Sequence, residues 1–195
     1  LGELRNMTVS VTPGGKYYVC IMAQVEVGDL EKTNLSVGID LGLKDFVITS
    51  NGDRYSSNKF IKKYSKKLAT MQKHLSRKKK GSGSWNRQRI KVARLQEKIM
   101  SCRKDKLHKI SIDLIRRYDV VCGEDLNVKG MVRNRHLAKS VSDASWNTFV
   151  TMLEYKAKWY GKTLVKIGRF YPSSKTCHHC GHVKEDLSLS DRYYT

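Results

Sequence analysis

The chain has 195 residues, with 38 Lys or Arg against 18 Asp or Glu and a formal net charge of +20. That length suits one domain, or one domain with a small appendage, and is enough to bury a real core. The charge points to a polyanion, nucleic acid or an anionic membrane surface; the absence of any run of about eighteen apolar residues excludes a spanning helix, and the lipid reading is set aside because it would want a basic amphipathic helix with a strong apolar face and no enzyme-like constellation beside it.

In chain order, "NMTVSVTPGGKYYVCIMAQVEV" alternates apolar and polar residues on both sides of Pro13-Gly14-Gly15 and predicts a β-hairpin within 1–33. Residues 34–57 predict three strands: "SVGID", then "DFVITS" after Leu43, then "DRYSS" across the turn Asn51-Gly52. Asp45 and Asp53 read as turn residues.

The character changes over 58–118, which holds more than half of all Lys and Arg, opposed only by Glu97, Asp105 and Asp113. Val92, Leu95, Ile99, Cys102, Leu107, Ile110 and Leu114 recur at helical steps. "KKKGSGSW" interrupts the pattern, so two basic helices joined by a Gly/Ser turn are expected. A solvated charge face is the alternative, but such a face usually mixes both signs. Nucleic-acid contacts are therefore expected from Lys62, Lys63, Lys66, Lys67 and Lys73, from Arg77, Lys78, Lys79 and Lys80 around the turn, and from Arg87, Arg89, Lys91 and Arg94.

Within 119–172, "YDVVCGEDL" predicts a buried strand and "NVKGMVRNRHLAKSVSD" a loop. Trp146, Phe149, Val150, Leu153, Ala157 and Tyr160 form a helical stripe, capped near Ser142 or Asp143 and closed by Gly161. "KTLVKIG" is another strand. The order of elements predicts an α/β or α+β chain with a mixed sheet.

Asp40 and Glu124 each end a hydrophobic strand containing a Gly. A carboxylate there is costly unless paired or bound to a cation. Singly, Asp40 could cap a turn and Glu124 could pair with a Lys. Together, on adjacent strands, they could share a hard cation such as Mg²⁺, which takes carboxylate oxygens and substrate phosphates, and two such metals clamp the attacking and leaving oxygens of a phosphodiester. Asp125 would point to the opposite face, as an alternative ligand or a supporting group.

Of five cysteines, Cys20, Cys102 and Cys122 are expected as small core hydrophobes. Cys177 and Cys180 form C-x-x-C-G within 173–195, which reads as half of a zinc ribbon, since a structural zinc needs four ligands. His178, His179 and His182 are further candidates, although the neighbours of a C-x-x-C rarely fold back onto the same ion. With no secretory signal read in the sequence, the pair is expected in a reducing compartment, the cytoplasm.

The stretches "VGIDLGLKDFVITSNG", "LSRKKKGS", "VVCGEDLNVKGM" and "LEYKAKWYGKTLVKIGRFYPSSKTCHHCG" resemble the TnpB/OrfB family of insertion-sequence proteins, relatives of the type V CRISPR effector nucleases, over nearly the whole chain. The resemblance implies an RNase H-like RuvC domain with Asp40 and Glu124 as the first and second catalytic acids, both ligands of Mg²⁺ or Mn²⁺. It implies RNA-guided DNA cleavage, with DNA and guide RNA as partners and base pairing supplying specificity. The opening hairpin would be the tail of a wedge β-barrel and 58–118 a helical insertion. The family pattern continues past Thr195 with a second C-x-x-C, completing a zinc site, and an Asp-Arg-Asp motif holding the third acid; Asp186 and Asp191 do not match that acid. The chain is thus expected to be a fragment, unable to cleave DNA alone. A non-catalytic DNA- or RNA-binding transposition regulator, or a transposase performing strand transfer, are the competing readings.

Overall fold

The computed structural model describes residues 2–57, 60–124, 144–168, 175–177, 179–184 and 186. The expected "NVKGMVRNRHLAKSVSD" loop, Asp125, Ser142, Asp143, His178 and Asp191 lie outside the described residues, as do the side chains of Phe60, Ile61 and Lys62.

Strands β1 (Glu3–Val11) and β2 (Tyr17–Gln24) form a two-stranded antiparallel sheet, with Val9 opposite Val19 and Met7 opposite Ile21. Its turn is tied to a helix far along the chain. The Gly14 amide donates to Glu97 Oε1 at 2.9 Å, and Arg94 Nε donates to the Gly14 carbonyl at 2.9 Å. A Cβ at Gly14 would stand 2.5 Å from Glu97 Oε1, so a larger residue there would have to displace that carboxylate.

The second sheet runs β5-β4-β3-β6-β7, from β3 (Ser36–Asp40), β4 (Asp45–Thr49), β5 (Arg54–Ser56), β6 (Val120–Glu124) and β7 (Thr163–Ile167). β3 pairs antiparallel with β4 and parallel with β6, and β6 pairs parallel with β7, so the sheet is mixed. Gly52, at φ +88°, makes the turn from β4 to β5.

Helix α1 (Phe60–Ser76) is followed by α2 (Gly83–Arg117). Ser82 caps α2 by accepting from the Trp85 amide, and Gln88 Nε2 donates to the Met71 carbonyl at 3.0 Å, joining the two helices. α2 has two kinds of buried stripe. Its first half buries Val92, Ala93, Leu95 and Ile99; its second half sends Leu107, Ile110, Leu114 and Ile115 into the core formed with Val37, Ile39, Phe46, Val47 and Val121. The basic segment is therefore continuous with the sheet core through a single helix.

Helix α3 (Trp146–Trp159) completes that core with Phe149, Met152, Leu153 and Ala157. Phe149 meets Phe46 edge-on, ring centroids 5.0 Å apart. The cap differs from expectation: Ser145, in the left-handed region at φ +56°, precedes the helix and its side chain makes no capping bond. Gly161, at φ +63°, ends the helix as expected.

The cysteines are a correction. Cys20 is exposed, and Cys102 and Cys122 are half-buried. Cys20 sits on the hairpin, whose two strands are exposed throughout, and the other two occupy positions that are covered only in part. Asp45 is likewise the first residue of β4 and not a free turn residue; it pairs with Arg54 at 3.6 Å.

Candidate metal and nucleic-acid site

The carboxylate pair is set by strand register, and the register is set at the opposite end of the strands. Asp119, just before β6, accepts from the Thr33 amide at 3.0 Å, the Asn34 amide at 2.6 Å and Lys162 Nζ at 2.5 Å. Lys162, just before β7, also donates to the Glu31 carbonyl at 2.6 Å. One ion pair between a buried lysine and a half-buried aspartate therefore aligns the starts of β3, β6 and β7. The Lys162 ammonium first, then the Thr33 amide, hold the Asp119 carboxyl well below the usual carboxylate range.

From that pin the three strands run parallel, with Ser36 beside Val120 and Val120 beside Thr163. Ile39 is beside Gly123, so the next residues, Asp40 and Glu124, end neighbouring strands side by side. Both are exposed, whereas Val37, Ile39 and Val121 are buried. Gly123 permits this approach, since a Cβ there would lie 3.1 Å from Ile39 Cγ1. Loss of hydration, then the negative charge of Glu124, raise the Asp40 pKa above its ordinary value, while the Leu41 amide donating to it pulls the other way. Two like charges held together in this manner suit a divalent cation, which removes their repulsion. No group of three or more metal-ligating side chains occurs among the described residues.

Lys63, Lys66, Lys67 and Lys73 on α1, Arg77, Lys79 and Lys80 in the turn, and Arg87, Arg89 and Lys91 on α2 are exposed, and Lys78 is half-buried. Arg94 is also exposed, but its guanidinium already serves the Gly14 carbonyl. Two aromatic rings lie among these cations. Lys63 and Lys98 stand over Tyr64, each 5.7 Å from the ring centre, and Arg89 stands over Trp85 at 5.9 Å. Interleaved aromatic and basic residues were the available sequence signal for Tyr64 and Trp85.

In the knuckle, Thr176 bridges Val183, the Cys177 amide donates to the His182 carbonyl at 2.8 Å, and the Gly181 amide donates to the Cys177 carbonyl at 2.9 Å, with Gly181 at φ +74°. The Cys180 amide, followed by the His179 amide and the Cys180 side chain, lowers the Cys177 thiol pKa. Lowering of that kind favours the thiolate, the form that binds metal. Cys177 is half-buried and Cys180 exposed at this turn.

A mixed α/β sheet carries two acids at adjacent strand ends, and one helix joins its core to a strongly cationic segment. Residues 19–135 match the OrfB_IS605 family, described as a probable transposase, and the chain belongs to that family. Residues 146–195 match the Cas12f1-like TNB domain. A candidate RNA-guided DNA endonuclease of Streptomyces pristinaespiralis is 39% identical over 99% of this chain and 48% of its own length. InsQ of Escherichia coli (strain K12), also named a candidate RNA-guided DNA endonuclease, is 31% identical over 97% of this chain and 50% of its own. The chain thus spans about half the length of these curated relatives. A chain in the cryo-EM structure of the Cas12f1–sgRNA–target DNA complex shares the fold, with a TM-score of 0.50 and 19% identity over 91% of this chain and 45% of that one. No helix among the described residues is long and apolar enough to cross a membrane.

Proposed function

We propose that the five-stranded sheet is the RuvC-like, RNase H-type core of an RNA-guided DNA endonuclease, and that Asp40 and Glu124 are two of its metal-binding catalytic acids. The observation that carries this reading is the parallel register of β3 and β6, which ends both strands on adjacent carboxylates. The names of the relatives agree with it.

Asp40 and Glu124 would hold Mg²⁺ or Mn²⁺ through carboxylate oxygens. A bound divalent cation supplies Lewis-acid stabilisation of the phosphodiester and a more acidic water. The chain's own part is to keep the two acids in register through Asp119 and Lys162, and to keep Asp40 ionised once the cation offsets the charge of Glu124. The basic faces of α1 and the first half of α2 hold the DNA and guide RNA by their phosphates, including Lys62. A third acid and a second Cys pair would complete the catalytic and zinc sites.

The domain division follows the same reading. Residues 1–33 are the end of a wedge barrel, whose remaining strands would cover the apolar face of β1–β2. Residues 34–57 and 119–172 are the two RuvC parts around the helical insertion of 58–118, and 173–195 begin a zinc ribbon in which Cys177 and Cys180 supply half of the ligands.

The test is cleavage of a matched target by the complete protein loaded with its guide RNA in Mg²⁺. Asp40→Ala and Glu124→Ala should each abolish cutting while guide-RNA binding persists. Cutting by Asp40→Ala at the parent rate would overturn the assignment, and retention of guide binding without any metal-dependent cutting by the parent would favour a non-catalytic regulator.

A further inference from the structure

Between α2 and α3, away from the carboxylate pair, lies a groove of about 370 Å³. Lys104 and His108 form one wall, and Asn147, Thr148, Thr151 and Tyr155 the other, over the buried side chain of Met152. A space of that size falls within the range of about 300–1,000 Å³ that takes a small ligand.

The chemistry of the walls is selective. None of the lining residues is acidic. The nearest acid on α2, Asp105, is engaged by Lys109 at 2.8 Å. Behind the wall, the Lys156 ammonium is buried and donates to the His108 carbonyl at 2.9 Å and Ser111 Oγ at 2.6 Å, both neutral. Burial lowers the Lys156 pKa, so the exposed Lys104 is the cation that faces the groove. Burial, then the charges of Lys156 and Lys104, lower the His108 pKa and favour its neutral ring, with Asp105 opposing them weakly. His108 Nδ1 and Tyr155 OH lie 3.4 Å apart. The Tyr155 ring packs edge-on against the exposed Trp159, centroids 4.6 Å apart, so α3 presents an aromatic wall.

A pocket with one exposed cation, no acid, an aromatic wall and neutral amide and hydroxyl groups matches an unstacked nucleotide. Its phosphate meets the ammonium, its base lies on the ring, and Asn147 and Thr148 meet the base edge or sugar. A duplex keeps its bases stacked on one another and cannot present one to this groove. We infer that the α2–α3 groove is a subsite for one unstacked nucleotide of a single strand, with its base on Tyr155 and its phosphate on Lys104.

This rests on the nucleic-acid part of the proposed function and not on the metal part. The full chain would be bound to short oligothymidylate and oligouridylate carrying photoreactive 5-iodouracil, irradiated, digested and mapped. Crosslinks to the α3 peptide that holds Tyr155 are expected. Tyr155→Ala should weaken single-strand binding about tenfold, the loss typical of one stacked base, and leave duplex binding unchanged. Lys104→Ala should reduce the salt slope by about one. Because Tyr155 also touches the core, Thr151→Trp, which fills the groove from an exposed position, should give the same loss with unchanged melting. A larger loss with oligouridylate would identify an RNA strand, and one with oligothymidylate a DNA strand; either supports the subsite. Crosslinks confined to α1 and the first half of α2, with unchanged affinity in Tyr155→Ala and Thr151→Trp, would overturn it. Asp40→Asn should leave the Tyr155 crosslink intact, so failure of the metal assignment and failure of the groove are separable.

Discussion

The two β systems share one sequence pattern and differ in what covers them. The pairs Met7–Ile21, Val9–Val19 and Val11–Tyr17 place six apolar side chains on one face of the opening hairpin, and all six are exposed. In the five-stranded sheet, Val37, Ile39, Val47 and Val121 are buried with α2 and α3 in one core. Alternation specifies a strand, but burial requires a second layer. A two-stranded sheet is marginal by itself, and here the grip of Glu97 and Arg94 on Gly14 holds its turn. The large sheet instead derives its register from Asp119 and Lys162, and that register is what brings Asp40 and Glu124 together.

Substitutions in the two systems should therefore differ sharply. Phe149→Ala removes the ring packed on Phe46 and should cost about 3–5 kcal/mol in denaturant unfolding; a loss below about 1 kcal/mol would mean that α3 does not close the core. Asp119→Asn should come next. The folded carboxyl titrates below its unfolded value, so its stabilisation is fully present above about pH 4 and is lost as pH falls through the folded pKa. The variant should melt lower at neutral pH and show a flatter decline in acid, and matching pH profiles of parent and variant would remove the pin from the account. Gly14→Ala should act locally, speeding hydrogen exchange across β1 and β2 while the amides of β3 and β6 keep their protection. The smallest effect should be that of Val9→Ser, within about 0.5 kcal/mol. A large loss there would show that the hairpin face is covered in this chain.

Much of this was legible locally. The strands around Asn51-Gly52, the ends of β3 and β6 at Asp40 and Glu124, the two helices about the Gly/Ser turn and the Gly161 stop follow from period, turn chemistry and charge. What stayed hidden depends on distant partners. The Gly14 contacts with Arg94 and Glu97 span 80 and 83 residues, and the Asp119–Lys162 pin spans 43. Nothing in the neighbourhood of Lys162 or Lys156 marks either ammonium as buried, because a lysine is ordinarily exposed. The cysteines failed for the complementary reason. Their size suits a core, but Cys20 lies on the exposed hairpin, and Cys102 on α2 and Cys122 on β6 occupy positions that the core covers only in part.

The central claim is that Asp40 and Glu124 together form a cation site. It is tested most directly by titrating this chain with Mn²⁺ and following the free ion by electron paramagnetic resonance. The parent should bind Mn²⁺ weakly, and Asp40→Asn and Glu124→Gln should each reduce affinity by at least about tenfold, the loss seen even when groups that merely orient a ligand are removed, whereas the exposed Asp105→Asn should have no effect. Equal Mn²⁺ binding by the parent and all three variants would contradict the claim.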